Sequence, residues 1–180
     1  MKSYQVFENA GPIKEVELET PIPKGDEVLV KTIACGVCHT DIHIHDGFFD
    51  IGNGKKMASR LVQPLAMGHE VFGEVVSVGE NVNNIEVGKK FVVYPWIGCG
   101  ECEACINDNE HECGPLTAQN IGVSVNGGYG EYVMVKHSRY RFDAGDPPDE
   151  LAGRYAWRGL TAYRSLDTAN IKPTEKKLVI

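Results

Sequence analysis

The sequence predicts a mainly β fold, an antiparallel barrel or sandwich with a few short helices. Apolar runs rich in valine and isoleucine recur at roughly ten-residue intervals, and glycine, proline and asparagine separate them. A cysteine-rich lobe interrupts this pattern, and a segment with helical spacing follows it. The chain has 180 residues, enough for one domain with a core, or for one domain and a fragment.

The strands are expected in order along the first three quarters of the chain. Three come from the runs YQVFE, KEVELE and EVLVKTIAC, with a turn at PIPKGDE between the second and the third. Two more are expected in GHEVFGEVVSVGENVNNIEVGKKFVVYPW, and another in GGYGEYVMVK after a glycine-rich turn.

The C-terminal segment has a different pattern. DPPDELAGRYAWRGLTAYRSLDTANIK begins with two prolines and acidic residues, as helix starts often do. Apolar side chains then recur at roughly helical spacing, namely Leu151, Tyr155, Leu160, Tyr163 and Leu166. The last run, KKLVI, predicts a stray edge strand or a disordered end.

Composition excludes several classes of function. The net charge of −7 argues against a nucleic-acid groove as the main function. The N-terminus has no charged start followed by an apolar run, so no signal peptide is visible. No apolar stretch approaches the ~20 residues that a membrane span requires. We therefore expect a cytoplasmic protein without nucleic-acid or membrane partners.

Four cysteines give the strongest local signal. Cys99, Cys102, Cys105 and Cys113 have the spacing C-x2-C-x2-C-x7-C, which suits four thiolates around one tetrahedral Zn²⁺. Four thiolates leave no open position, so a structural site is expected. Free thiols or two disulfides are the alternative. An iron–sulfur cluster fits less well, because x7 before the last cysteine matches none of the usual spacings.

The run CGVCHTD, residues 35 to 41, is compatible with a zinc knuckle, a redox pair or one wall of a catalytic metal site. Together with the cysteine lobe and GHE at residues 68 to 70, it closely resembles the zinc-dependent alcohol dehydrogenases of the medium-chain dehydrogenase/reductase family. The resemblance extends over nearly the whole chain and includes GLTAY. It implies a GroES-like antiparallel β-barrel catalytic domain with a zinc-binding lobe, lacking the Rossmann domain.

The resemblance assigns the catalytic metal site. Cys38 and His69 correspond to two ligands of a catalytic zinc, and Glu70 to a carboxylate that can approach the metal. Asp41 corresponds to the carboxylate that orients the site, as metal-bound histidines generally require. Cys35, three positions before Cys38, is not expected to be a ligand.

The resemblance also assigns a proton path and a cofactor contact. Thr40 corresponds to the hydroxyl that takes the proton of the substrate alcohol, and His43 to the histidine that passes it to solvent. His39 corresponds to a contact with the pyrophosphate of NAD(P). Trp96 either lines the substrate cleft or is a plain core tryptophan.

Two features depart from the family pattern. Trp157 stands where a cysteine would supply the third catalytic zinc ligand, and an indole N–H can only donate. No G-x-G-x-x-G turn follows KKLVI, so a nucleotide site is not evident. The division implied is a catalytic domain at residues 1–150, with its zinc lobe at 95–115, and residues 151–180 as a helix and the first strand of a truncated cofactor domain.

The functional expectation is therefore a zinc-binding domain from an enzyme that converts alcohols to aldehydes or ketones by hydride transfer to NAD(P), not competent for turnover alone. Two alternatives remain. The domain could serve as a zinc-binding scaffold or assembly module, which includes a homo-oligomer, or as a hydrolytic enzyme that uses a zinc ion with an open position. Three arginines lie around Trp157, namely Arg154, Arg158 and Arg164. They suggest a redesigned helix, in which charged side chains replace the contacts of a missing covering domain; natural divergence is the alternative.

Overall fold

The computed structural model describes residues 1–59, 64–114, 117–145 and 147–171. The predicted C-terminal strand KKLVI lies outside these ranges. None of the described helices is long and apolar enough to cross a membrane. The described elements are the strands β1 (Lys2–Gln5), β2 (Lys14–Glu17), β3 (Val28–Gly36), β4 (Phe48–Asp50), β5 (Lys56–Ala58), β6 (Glu70–Val78), β7 (Lys90–Val93), β8 (Tyr132–Val135) and β9 (Arg141–Phe142), and the helices α1 (His39–Asp46), α2 (Glu103–Ile106), α3 (Asp149–Ala152) and α4 (Arg158–Thr168).

A five-stranded antiparallel sheet forms the centre of the fold, in the order β8-β3-β6-β7-β9. Two small hairpins accompany it, β1 with β2 and β4 with β5. The mainly β prediction is confirmed, and strands lie within or beside each run from which they were expected. Strand β3 is an interior strand, because it pairs with β6 on one side and with β8 on the other.

The main core lies on one face of this sheet, as the alternation of apolar residues in β3 requires. Val28 and Val30 are fully buried, and their register places them opposite Val135 and Val133 of β8. Further buried members of the cluster come from the other strands and loops: Val71, Val75, Phe91, Val93, Ile97, Ile121 and Tyr140.

Helix α1 was not predicted, although it carries much of the CGVCHTD motif. The alternating polar residues of HTDIHIHD give no clear apolar stripe, and among them only Asp41 and Ile44 are buried. The helix is nevertheless well delimited. The carboxylate of Asp41 accepts the backbone N–H of Cys38 at the N-terminus, and Gly47 ends the helix with a φ of 81°.

The predicted C-terminal helix is present but divided. A 3₁₀ turn at Gly153–Ala156 separates α3 from α4. The apolar side chains that predicted it are partly exposed, and the buried contacts come instead from the small residues Ala152 and Ala156, which pack against Phe72 and Val92. Small side chains allow this segment to approach the sheet closely. The spacing of the large apolar residues could not predict this contact.

Candidate functional site

The four lobe cysteines converge as their spacing predicts. All lie in one cluster with their sulfurs within 4.8 Å of one another, and none forms a disulfide. The Sγ atom of Cys105 is 3.4 Å from that of Cys102 and 3.9 Å from that of Cys99. A tetrahedron with Zn–S bonds of about 2.3 Å has S···S edges of about 3.8 Å, so the arrangement suits a tetrahedral metal ion.

Backbone groups of the lobe favour the thiolate forms that a metal requires. The N–H of Cys102 donates to the sulfur of Cys99, and the N–H of Cys99 donates to that of Cys113. Backbone hydrogen bonds from Glu101 and Cys102 lower the pKa of Cys99 to about 6. Burial raises the pKa of Cys105 to about 12, so this thiol needs a bound cation to ionise.

A polar contact joins the lobe to the sheet. Arg139 pairs with Glu110 and donates to the hydroxyl of Tyr140 at 2.8 Å, while that hydroxyl donates to Glu110 at 3.0 Å. Gly98 faces Glu110 at the base of the lobe, where a Cβ would lie 3.0 Å from the glutamate side chain and 2.3 Å from the sulfur of Cys105. The lobe is thereby held against the segment that precedes β9.

A second cluster brings together Cys38, His69 and Glu70, and their ligand atoms lie within 4.8 Å of one another. Cys38 directly precedes α1, whereas His69 directly precedes β6 and Glu70 is its first residue. The pairing of Gly36 with Glu70 in the β3–β6 ladder brings these two segments side by side. Three residues predicted to share a site are therefore neighbours in space.

Asp41 organises this cluster through three contacts. One carboxylate oxygen accepts the N–H of Cys38 at 2.8 Å, and the other accepts the N–H of Gly68 at 3.1 Å. The second oxygen also lies 3.3 Å from Nδ1 of His69. This arrangement favours a proton on Nδ1 and leaves Nε2 of His69 as the donor atom for a metal.

The pKa directions agree with a set of interacting charges. Burial raises the pKa of Cys38, but the neighbouring Thr40 and the nearby imidazole of His69 outweigh this and lower it overall. Burial lowers the pKa of His69, whereas Asp41 and Cys38 raise it by a larger amount. Burial also raises the pKa of Glu70, although the neighbouring Arg158 and His69 oppose the shift.

Trp157 lies beside the cluster, at the place inferred for a third ligand. Its ring centroid is 5.2 Å from that of His69 and 4.8 Å from that of Trp96. Both tryptophans line an open cleft of about 690 Å³, together with Tyr94 and Leu160. Trp96 is therefore a cleft residue, and Trp157 contributes an aromatic wall where a metal ligand was expected.

Arg158 has a role that the sequence did not indicate. Its Nε atom lies 3.0 Å from Oε1 of Glu70, and its guanidinium also donates to the carbonyl oxygen of Val37. Of the three arginines expected to solvate a bare surface, this one instead forms an ion pair with a buried carboxylate. Arg164 pairs with Asp167 on the surface of α4.

The remaining predicted residues lie on α1. His39 and His43 are one turn apart, with ring centroids 4.6 Å apart, and His43 also contacts Phe49. His39 is exposed, and Thr40 is half-buried next to Cys38. Cys35 lies on β3 outside both clusters, as expected for a thiol that is not a ligand, and burial raises its pKa to about 12.

Both clusters fit a divalent metal, to different degrees. The lobe offers four thiolates, whereas the second cluster offers one sulfur, one imidazole nitrogen and one carboxylate. Neither ring nitrogen of His69 and neither carboxylate oxygen of Glu70 forms a hydrogen bond of good geometry with the described residues, although Asp41 and Arg158 lie within ion-pair distance. These buried polar atoms are therefore available to a metal ion. A donor set of this kind suits zinc with an open position.

Comparison with known families and proteins gives consistent matches. Residues 24–142 match the family model described as the alcohol dehydrogenase GroES-like domain. A NAD-dependent alcohol dehydrogenase of Sulfolobus acidocaldarius is 35% identical over 180 residues, which is 100% of this chain and 51% of that protein. An L-threonine 3-dehydrogenase of Pyrococcus abyssi is 41% identical over 165 residues, 92% of this chain and 44% of that protein.

Solved structures give the same result. A cobalt- and zinc-bound thermostable alcohol dehydrogenase from Pyrobaculum aerophilum matches with a TM-score of 0.79 and 28% identity. The match covers 97% of this chain and 50% of that one. The chain thus spans about half the length of the curated relatives and solved structures that it matches.

Proposed function

Because the chain belongs to the family of alcohol dehydrogenase GroES-like domains, which matches more than half of it, we propose that it is the zinc-binding catalytic part of an NAD(P)-dependent alcohol dehydrogenase. The proposed reaction converts an alcohol to an aldehyde or ketone by hydride transfer. The observation that carries this proposal is the convergence of Cys38, His69 and Glu70 with Asp41 behind them.

The proposed catalytic metal site consists of Cys38 and His69, with Glu70 as the third donor. A zinc ion held there would supply Lewis-acid polarisation of the alcohol oxygen. Asp41 keeps the proton of His69 on Nδ1 and orients the imidazole, and it fixes the backbone of Cys38 at the start of α1. Two of the ligands are in this way held by one carboxylate.

Two residues of α1 are proposed to move the proton of the alcohol. The hydroxyl of Thr40 accepts it while releasing its own proton, and the imidazole of His43 takes up the released proton and passes it towards solvent. Support comes from the placement of Thr40 beside Cys38 and from the half-exposed position of His43 one turn along the helix. An imidazole can both accept and donate a proton, which suits it to such a relay.

The cleft next to Trp96 and Trp157 is proposed as the place for the apolar part of the substrate. Its walls are mainly aromatic and aliphatic, as small-molecule sites usually are. A small alcohol or aldehyde with an apolar substituent fits this chemistry.

The nicotinamide must come from a nucleotide-binding unit, because hydride transfer requires it to be held against the substrate carbon. The 180 residues contain no G-x-G-x-x-G run. We propose that this unit belongs either to the same polypeptide or to another chain, and that the exposed His39 contacts the pyrophosphate. The four-cysteine lobe is proposed to hold a structural zinc.

Metal counting by native mass spectrometry tests these assignments. We expect one tightly held zinc and a second that is held more weakly. Cys102→Ser is expected to remove the first and Cys38→Ser the second, while Cys35→Ser, which alters a cysteine outside both clusters, leaves both in place. A second zinc that persists in Cys38→Ser would contradict the proposed catalytic site.

One observation favours an assembly module as a second candidate. Several large apolar side chains of α4 are partly exposed, among them Leu160, Tyr163 and Leu166. Sedimentation at several concentrations tests this alternative. A defined oligomer that Tyr163→Ser disrupts would support it, and a monomer at all concentrations would contradict it.

A further inference from the structure

Glu70 occupies a place in the fold that is built around its side chain. It is fully buried at the start of β6. Its neighbours on two sides are glycines: a Cβ at Gly36 would lie 2.0 Å from Oε2 of Glu70, and a Cβ at Gly153 would lie 2.2 Å from its backbone oxygen. The absence of a side chain at Gly36 therefore provides the space that the carboxylate occupies, and the absence of one at Gly153 allows close packing against the backbone of Glu70.

A carboxylate buried in this way requires a positive partner to remain ionised. Among the described residues, the only lysine or arginine paired with it is Arg158, whose Nε lies 3.0 Å from Oε1. The guanidinium also donates to the carbonyl oxygen of Val37, next to Cys38, so it bridges the two segments that supply the ligands. Its side chain is 45% exposed and has a path to solvent.

A metal ion in the same cluster needs the same carboxylate. Cys38 and His69 provide two donor atoms, and the indole of Trp157, which contacts His69, provides none. Among the described residues Glu70 is the remaining donor within reach. Its negative charge can be shared with a dication or neutralised by the guanidinium, but the two cations repel each other at such distances.

We propose that Arg158 competes with a divalent metal ion for the carboxylate of Glu70, an inference that rests on the proposed metal site at Cys38 and His69. Metal binding displaces the guanidinium towards solvent, and the loss of its contact with Glu70 weakens the binding of the metal. Arg158 is thus a positioning residue, which determines how readily the second site fills.

Cobalt titration tests the competition on the full chain. The lobe is first filled with one equivalent of Zn²⁺, and Co²⁺ is then added while the thiolate-to-cobalt absorption is recorded. Because Cys38 is the sole cysteine in the second cluster, the signal reports that site. Arg158→Met is expected to tighten Co²⁺ binding by about tenfold or more, because it removes the competing charge. Arg158→Lys, which retains the charge, is expected to stay within a few-fold of the unmodified chain.

Two further variants separate competition from a general change in the fold. Arg164→Met removes an arginine that pairs with Asp167 in the same helix, and it is expected to leave the titration unchanged. In a background that carries Glu70→Gln, Arg158→Met is expected to bring no increase in Co²⁺ affinity, because the carboxylate for which the two cations compete is absent. Circular dichroism shows whether Arg158→Met is folded. If Arg158→Met unfolds, Arg158→Lys still tests the inference, because Co²⁺ binding about tenfold tighter in Arg158→Lys than in the unmodified chain would overturn it.

The failure of the inference is distinguishable from the failure of the proposed function. If Cys38→Ser removes the cobalt signal but Arg158→Met leaves the affinity unchanged or lowers it, the metal site stands and the competition is wrong. If no variant, including Trp157→Cys combined with Arg158→Met, gives a signal that depends on Cys38, the metal site itself is wrong and the inference falls with it.

Discussion

The indole of Trp157 meets the imidazole of His69 edge to face, with the ring centroids 5.2 Å apart and the ring planes at 74°. This contact places a group without a lone pair for metal binding beside a proposed ligand. It also favours one orientation of the His69 ring, since aromatic pairs of this geometry are favourable.

Replacing Trp157 by cysteine is expected to increase the affinity of the second site for zinc, because the new thiolate adds a donor to those of Cys38, His69 and Glu70. Isothermal titration with Zn²⁺ after the lobe has been filled measures the effect. Trp157→Phe is the matched control, because it keeps an aromatic wall and adds no donor. Equal affinities for the two variants would show that residue 157 does not face the metal position.

Removing one lobe thiolate is expected to release the lobe metal. Cys102→Ser leaves three sulfurs around a position that suits four, and metal binding in such loops is coupled to local folding. We expect the zinc content to fall by one ion per chain and proteolysis to become faster between Cys99 and Cys113. Cys35→Ser is the control. A lobe that keeps its zinc in Cys102→Ser would contradict the assignment.

Asp41→Asn is expected to weaken both the fold and the second site. The two oxygens of the buried carboxylate accept the N–H groups of Cys38 and Gly68, and an amide of the same size has only one oxygen and can keep only one of these hydrogen bonds. We expect the free energy of unfolding to fall by about 1–3 kcal/mol. The affinity for the second metal should fall about 10–100-fold. Chemical denaturation and Co²⁺ titration measure the two effects.

Asp46→Asn, at the other end of α1, is the control for that experiment. Asp46 contacts His45 at the protein surface and lies outside the cluster. Unchanged metal affinity is expected. If Asp41→Asn also left the affinity unchanged, Asp41 would have no part in orienting His69.

Gly36→Ala is expected to destabilise the protein, since the added methyl group would lie 2.0 Å from Oε2 of Glu70 in the space that the carboxylate occupies. Overpacking of this kind costs about 1–3 kcal/mol. Thermal denaturation measures it. In Gly159→Ala, in α4, the added methyl group would meet the exposed side chain of Tyr155 at 3.3 Å and the backbone oxygen of Arg154 at 3.8 Å, and the variant is expected to keep or raise the stability. A Gly36→Ala variant as stable as the original would mean that Glu70 can turn aside.

The sequence was informative where chemistry and spacing coincide. The cysteine spacing predicted a cluster that the fold assembles, and the alternating valines of β3 predicted a buried strand. The position inferred for Trp157 beside His69 also agrees with the geometry, although its effect on a metal stays a prediction.

Other features could not be predicted from local pattern. Helix α1 is held by Asp41 and packed through Ile44, so tertiary contacts rather than an apolar stripe determine it. The pairing of Arg158 with Glu70 joins residues far apart in the chain, and an arginine in a helical segment is usually solvated. The small residues Ala152 and Ala156 proved to be the packed ones, because closeness to the sheet decided burial.

Asp41 has a consequence for the rate of metal uptake. The carboxylate of Asp41 caps the first turn of α1 and also holds the backbone of Gly68, next to His69. We therefore expect the helix to form and the ligands to align in a single folding event. The folded chain therefore presents Cys38 and His69 already aligned, and the remaining internal step in metal uptake is the release of Glu70 by Arg158. Cobalt should accordingly enter this site in one concentration-dependent kinetic phase in Arg158→Met, where that step is removed. The lobe has only short helical turns between its cysteines, so its filling should include a second, concentration-independent phase as the loop orders.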